Sequence, residues 1–508
     1  MRKIKSKPIL AVILSLVLFL SGCGGKIDKG AETKENTSGS GPGAVAAAPQ
    51  GNEIRDRYTI DLTLDTEQKS ITGKVKIEVN NTSGDEWDQL GLRDYIPAIY
   101  KTLEEMLGER PAGTSELIRI KNLDTGKELS HTRDEEDVSM VYANLDNPLV
   151  PGGKMQIEIE FQADIPDDSI RFRWSEPEEG KLLFELSQFY PVLAIYENGA
   201  WQHDPFIFDG ECFYSKAADY IVNLTVPDGY TVIASGHEEK TGTKNGMNTW
   251  KVIAENMRDV AVTVSNCLKK MSGTVDGVEV NSYYFDNADA EEQGQIMLQT
   301  GLESMGFFSR LFGKYPYESL DIVMTNDYLT GIEYPAYVRV TDYTGMAGES
   351  GSDADLAVNV QDTTSHEVAH QWFYAAVGNN SYREAWLDES FASFGALLYL
   401  GEFGSEEEMK ELVDQNRKDA DYYKGTFLND SYEELGQMYT SSVYFRGQVF
   451  LYDLMQLMGE KAFYDMMQDY YSTFGLKEAH TQDFVDMVYR HDDSREVKSL
   501  MEEYLRLD

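Results

Sequence analysis

The strongest constraint on this chain is a change of hydrophobic period near its middle. From about residue 53 to 285, apolar side chains recur at every second position, as in Met155, Ile157, Ile159 and Phe161 with Gln156, Glu158 and Glu160 between them. Alternate residues of a strand point to opposite faces, so this pattern predicts strands with one buried side. The same alternation runs through Tyr58/Ile60/Leu62/Leu64, Val75/Ile77/Val79 and Tyr220/Val222/Leu224/Val226, with turn-forming pairs such as Asp228-Gly229 and Asn245-Gly246 between runs. One helical interruption is expected at Ile96 to Leu107.

From about residue 289 the period lengthens to that of a helix, in Ala290 to Leu311, Thr363 to Val377, Ala385 to Leu400, Val443 to Met458 and Lys461 to Tyr471. Two strand-like stretches, Leu320 to Met324 and Glu333 to Val340, lie among them. The expected fold is multidomain: an N-terminal antiparallel β saddle or sandwich, then a mostly helical α+β domain. With 42% hydrophobic residues, 31 Tyr and 22 Phe, the chain has ample material for packed cores.

The start of the chain carries a different signal. Arg2, Lys3, Lys5 and Lys7 precede an apolar run, Ile9 to Leu20, that is too short for a comfortable membrane span and reads as an export signal. Leu20-Ser21-Gly22-Cys23 resembles the lipobox of bacterial lipoproteins, which implies cleavage before Cys23, acylation of that residue, and attachment to a lipid bilayer on the outer face of the cell membrane or its periplasmic side. Residues 24 to about 51 hold almost no large apolar side chain and read as a flexible tether. The expected division is residues 1–22 signal peptide, 23–51 acylated cysteine and tether, 52–285 β-rich domain and 286–508 catalytic domain. The other two cysteines, Cys212 and Cys267, are expected as buried free thiols, with a disulfide as the alternative.

Charge excludes one class of partner. The chain has 45 Lys+Arg against 87 Asp+Glu, a formal net charge of -42, whereas nucleic-acid binders present a basic patch or stripe.

The chemistry-bearing segment is His366-Glu367-Val368-Ala369-His370, within a helical stretch. Imidazoles at i and i+4 share one face of a helix and can converge on a single cation, with Glu367 beside them. Glu389, in Trp386-Leu387-Asp388-Glu389-Ser390, follows His370 after 18 intervening residues, an interval that suits ending one helix and presenting a carboxylate from the next. Two imidazole nitrogens and one carboxylate leave a fourth tetrahedral position for water, the donor set of a catalytic zinc site holding one Zn2+. Glu367 is placed to act as general base. The other five histidines show no ligand spacing.

These motifs resemble the M1 family of zinc aminopeptidases, gluzincins of the aminopeptidase N type. Further agreement lies in Phe312 to Tyr317, Thr330 to Pro335 and Tyr444-Phe445-Arg446-Gly447, with weaker matches at Ala218 to Tyr230 and Arg258 to Val262. The resemblance implies a thermolysin-like catalytic domain that removes the N-terminal residue from peptides with a free N-terminus. It also implies roles: Gly331 and Glu333 stand at the family's exopeptidase motif, with Glu333 receiving the α-ammonium group, and Tyr444 matches the tyrosine that donates to the oxyanion, Tyr439 being the alternative. The sequence departs from the family pattern at Thr330, Ile332, Tyr334, Asp388, Ser390 and Arg446. Most members carry a large helical C-terminal domain; 64 residues follow Tyr444 here, so the expectation is a more open cleft. A monomer is expected. A zinc endopeptidase on the same site and a catalytically silent binding module are the competing readings.

Overall fold

The computed structural model describes residues 45–49, 51, 54–108, 113–167, 169–207, 210, 213–327, 329–346, 353–420 and 425–507. Cys23, the signal segment and Cys212 lie outside the described residues. Cys267 is a free, buried thiol. Among the described residues no helix is long and apolar enough to cross a membrane.

The period-two half forms a seven-stranded sheet in the order His237–Lys244, Met247–Met257, Ala218–Pro227, Arg57–Asp65, Ser70–Asn80, Lys154–Asp164, Ser115–Asn122. All neighbours run antiparallel except Arg57–Asp65 and Ala218–Pro227, which run parallel. The alternating apolar residues, among them Ile60, Val75, Ile157, Ile159 and Val222, are all at 0% exposure, which is the one-sided burial that the pattern demands. A smaller four-stranded sheet, ordered Thr231–Ala234, Val262–Ser265, Lys181–Leu186, Phe172–Glu178, lies at the junction with the second half. The helical interruption is Ile96–Leu107.

The second half is built on a five-stranded sheet ordered Leu268–Val275, Val278–Phe285, Ser319–Thr325, Tyr337–Thr341, Gly331–Tyr334. Its first two strands fall within the 52–285 segment assigned to the β-rich domain, but Val278–Phe285 pairs in parallel with Ser319–Thr325, so the sheets divide just before Leu268. The strand-like stretch Glu333 to Val340 is a hairpin rather than one strand. Pro335 lacks the N–H needed to continue a ladder, and Ala336 takes a left-handed φ of 59° that reverses the chain.

The Ala288–Phe312 helix packs on this sheet and against the Asp353–Ala369 helix, which in turn packs against Trp386–Tyr399. The expected helix over Thr363 to Val377 ends at Ala369. Beyond it the chain turns through Tyr374, a non-glycine residue at φ 110°, and the turn is gripped by Arg258 from the β half. The buried Arg258 guanidinium donates to the carbonyls of Tyr374, Ala376, Lys477 and Ser215 and pairs with Glu478 at 2.8 Å. One cation thus satisfies several carbonyls that the turn leaves without helical partners.

The tether expectation also needs correcting at its end. Residues 45–49 lie against the catalytic half: the Ala46 carbonyl accepts from the Lys314 amide at 2.9 Å, and its amide donates to the Gln468 side chain. Backbone groups make these bonds, so a segment without large apolar side chains is nonetheless held.

Candidate metal centre

The Asp353–Ala369 helix carries His366 and Glu367, and its last turn leads directly into His370. The Trp386–Tyr399 helix supplies Glu389 from its first turn. Glu389 Oε2 lies 3.2 Å from His366 Nε2 and 3.3 Å from His370 Nε2, and the two Nε2 atoms are 3.1 Å apart. A tetrahedral zinc with bonds of about 2.0–2.1 Å has ligand–ligand edges of roughly 3.3 Å, so the three atoms stand where one ion needs them. The tautomer agrees: His370 Nδ1 faces the Phe373 carbonyl at 3.1 Å, an N–H donor there leaving the Nε2 lone pair free for a cation.

Electrostatics point the same way. Burial opposes charge on His370, yet the Glu389 carboxylate overrides it and pushes the imidazole up to about 9. Burial likewise opposes charge on Glu389, and the two imidazoles still hold it below the usual carboxylate range. The cluster therefore favours positive charge at its centre.

Asp388 and Ser390 flank the ligand in particular ways. Asp388, fully buried, accepts from the Glu389 amide at 2.7 Å, from Ser381 Oγ at 2.6 Å and from Asn379 Nδ2 at 2.9 Å, which fixes the start of the ligand helix. Burial and the adjacent Glu389 charge raise its carboxyl to about 7. Ser390 Oγ donates to the Val443 carbonyl at 2.6 Å, and Gly447 leaves the room, since a Cβ there would lie 1.9 Å from that oxygen.

Val443 belongs to a wide π-helical turn, Ser441–Arg446, a form that often marks functional positions. It presents Tyr444 with its ring stacked on His366, centroids 5.8 Å apart and planes 13° apart. Tyr439 stands farther out, against Tyr444 at 6.3 Å. Arg446 points away, donating to the Thr426 and Glu503 carbonyls.

Glu333 comes from the hairpin. Ligand-capable atoms of Glu333, Glu367 and His370 lie within 4.8 Å of one another, as do those of His366, His370 and Glu389. Gly331 is where Glu367 passes: a Cβ on it would sit 2.1 Å from Glu367 Oε1. The structure thus gathers His366, Glu367, His370, Glu389, Glu333, Gly331 and Tyr444 in one place. It adds Gln371, which the sequence reading did not single out. Its side-chain amide donates to the Tyr334 carbonyl at 3.0 Å and accepts from the Ala336 amide at 2.8 Å, bracketing the hairpin turn from the metal side. A polar residue next to a ligand histidine is the only sequence signal for it.

Fold and donor set together give a β-rich half joined to a helical half that carries a His/His/Glu metal-binding arrangement. Residues 297–504 match the Peptidase family M1 domain. Similar curated proteins include aminopeptidase M1-D of Oryza sativa subsp. japonica, 25% identical over 222 residues covering 41% of this chain and 25% of that protein. Aminopeptidase N of Mus musculus is 23% identical over 278 residues, 52% of this chain and 27% of that protein. The matched stretch spans about a quarter of such relatives. The crystal structure of an M1 zinc metallopeptidase from Deinococcus radiodurans superposes with a TM-score of 0.63 at 17% identity, covering 92% of this chain and 95% of that one. A mutant of it bound to a Tyr-ser-ala substrate gives 0.62, at 17% identity and 92% and 98% coverage.

Proposed function

We propose that this protein is a zinc-dependent aminopeptidase that removes the N-terminal residue from peptides. The observation that carries this reading is the second carboxylate, Glu333, on an edge hairpin within 4.8 Å of Glu367 and His370. A carboxylate that close to the metal triad is suited to pair with an α-ammonium group and so to hold the first peptide bond at the reacting centre.

His366, His370 and Glu389 would hold one zinc ion, which would polarise a carbonyl and acidify water. Glu367 takes the proton of the attacking water and passes it to the leaving amine. Tyr444, stacked on His366, donates its hydroxyl to the oxyanion of the tetrahedral intermediate. Peptides with a free N-terminus are the substrates, and Cys23 tethers the exported protein to a bilayer; supporting the latter is the Leu20-Ser21-Gly22-Cys23 motif after a basic and apolar start.

The test uses aminoacyl fluorogenic amides and their N-acetylated copies, with and without a chelator, on wild type and Glu367→Gln. Cleavage confined to free amines, abolished by chelation and by the substitution, is the expected result. Equal cleavage of blocked copies would make the protein an endopeptidase, and no cleavage of any substrate would make it a binding module. Cys23→Ala should move the protein from the membrane fraction to the soluble one.

A further inference from the structure

The Gly331–Tyr334 strand is the last in its sheet and is paired on one side only, with Tyr337–Thr341. Four residues of edge strand are a weak platform for a carboxylate that must be held in place. Gln371 fastens the turn from the metal side; the opposite side is fastened by groups that the mechanism does not use.

Ile332 pairs with Arg339 and Tyr334 with Tyr337, while Glu333 pairs with Val338. Strand alternation therefore puts Arg339, Tyr334 and Tyr337 on the face away from Glu333. That face meets the small four-stranded sheet of the β half. Arg339 Nε lies 3.5 Å from Glu185 Oε1, both side chains at 0% exposure, and Arg173 holds the other oxygen of Glu185 at 3.0 Å. The Arg339 guanidinium lies 5.4 Å from the Tyr334 ring and 5.6 Å from the Tyr337 ring. The Tyr337 hydroxyl is 2.5 Å from Thr263 Oγ1, and the Tyr334 hydroxyl donates to Ser187 Oγ at 2.7 Å. Glu185 and Thr263 sit opposite each other on adjacent strands, so one patch of the β half grips the back of the hairpin at several points.

A buried ion pair is poor evidence for stability, because apolar residues of similar volume often serve as well or better. What it does supply is register: Arg339 can meet Glu185 in one placement of the hairpin. We infer that Glu185 and Arg339 are positioning residues that set where Glu333 stands relative to the metal triad, so that the β half takes part in selecting a free amino terminus. The inference rests on the role proposed above for Glu333.

The experiment measures kcat, KM and bound zinc for wild type, Arg339→Met, Glu185→Gln and Thr263→Val on an aminoacyl amide and its N-acetylated copy. In Arg339→Met and Glu185→Gln, KM for the free amine should rise about tenfold with kcat within about threefold, the preference over the blocked copy narrowing to match. Zinc content should stay at the wild-type value. An unchanged KM and preference in the folded variants, or a joint loss of kcat and zinc, would overturn the positioning role. If neither charge variant folds, Thr263→Val decides: a KM raised about threefold supports the role and an unchanged one overturns it. If wild type itself cleaves both copies equally, the reading of Glu333 fails first and this inference falls with it.

Discussion

Gly331 and Glu367 touch: a methyl group on the glycine would lie 2.1 Å from one carboxylate oxygen of the glutamate and 2.5 Å from its carboxyl carbon. No side chain fits there unless Glu367 moves. Gly331→Ala should therefore displace Glu367, the proposed general base, while leaving His366, His370 and Glu389 in place. Kinetics should show kcat lowered by about 10²-fold, the usual cost of a misplacement near 1 Å. Metal analysis should show zinc unchanged.

Tyr444→Phe removes a hydroxyl and keeps the ring stacked on His366. Turnover should fall by about 10²- to 10³-fold with little change in KM, as expected when a donor acts only on the transition state. Tyr439→Phe, one ring farther from His366, should cost much less; the reverse order would exchange the two roles.

Removing the metal should cost stability as well as activity. Buried His370 and Glu389 with half-buried His366, their Nε2 and Oε2 atoms 3.1–3.3 Å apart, gather charge and lone pairs that a cation satisfies. Chelated protein should melt at a lower temperature than the zinc-loaded form, and added zinc should restore the melting temperature in a concentration-dependent way.

A pH effect is expected well away from the metal. His480 Nδ1 lies 2.9 Å from Glu384 Oε2, and Glu384 also accepts from the Thr481 amide at the start of the Thr481–His491 helix. The hydrogen bond to Glu384 raises the imidazole from 6.5 to about 9. A raised folded-state pKa stabilises fully below the unfolded value, and that contribution is lost as pH climbs through the folded one. The melting-temperature gap between wild type and His480→Gln should thus be largest at pH 6.5 and below and should close by about pH 9. A gap that widened with pH would contradict the pairing.

Several elements were legible in the sequence because each depends on residues close along the chain. The strand alternation, the Ala288–Phe312 helix and the His366/His370 pair at i and i+4 are of this kind. The hairpin within Glu333 to Val340 was half legible, since Pro335 breaks a ladder, but its left-handed residue is Ala336 and not the glycine that usually announces such a turn. Gln371 bracketing that turn, Arg258 gripping the Tyr374 carbonyl and Glu185 meeting Arg339 were not legible. Each joins segments distant in sequence through polar groups that carry no periodicity. The hold on residues 45–49 is made by the Ala46 backbone, and composition records nothing about backbone partners.

That hold sets residues 45–49 beside the Gly313-Lys314 turn and the Glu460–Phe474 helix. Gly313 in turn accepts the indole N–H of Trp372, two residues past His370. A pull arriving at Ala46 meets this seam before it reaches any strand of the β half. Load applied at Ala46 is therefore delivered one hydrogen bond from the segment that follows His370.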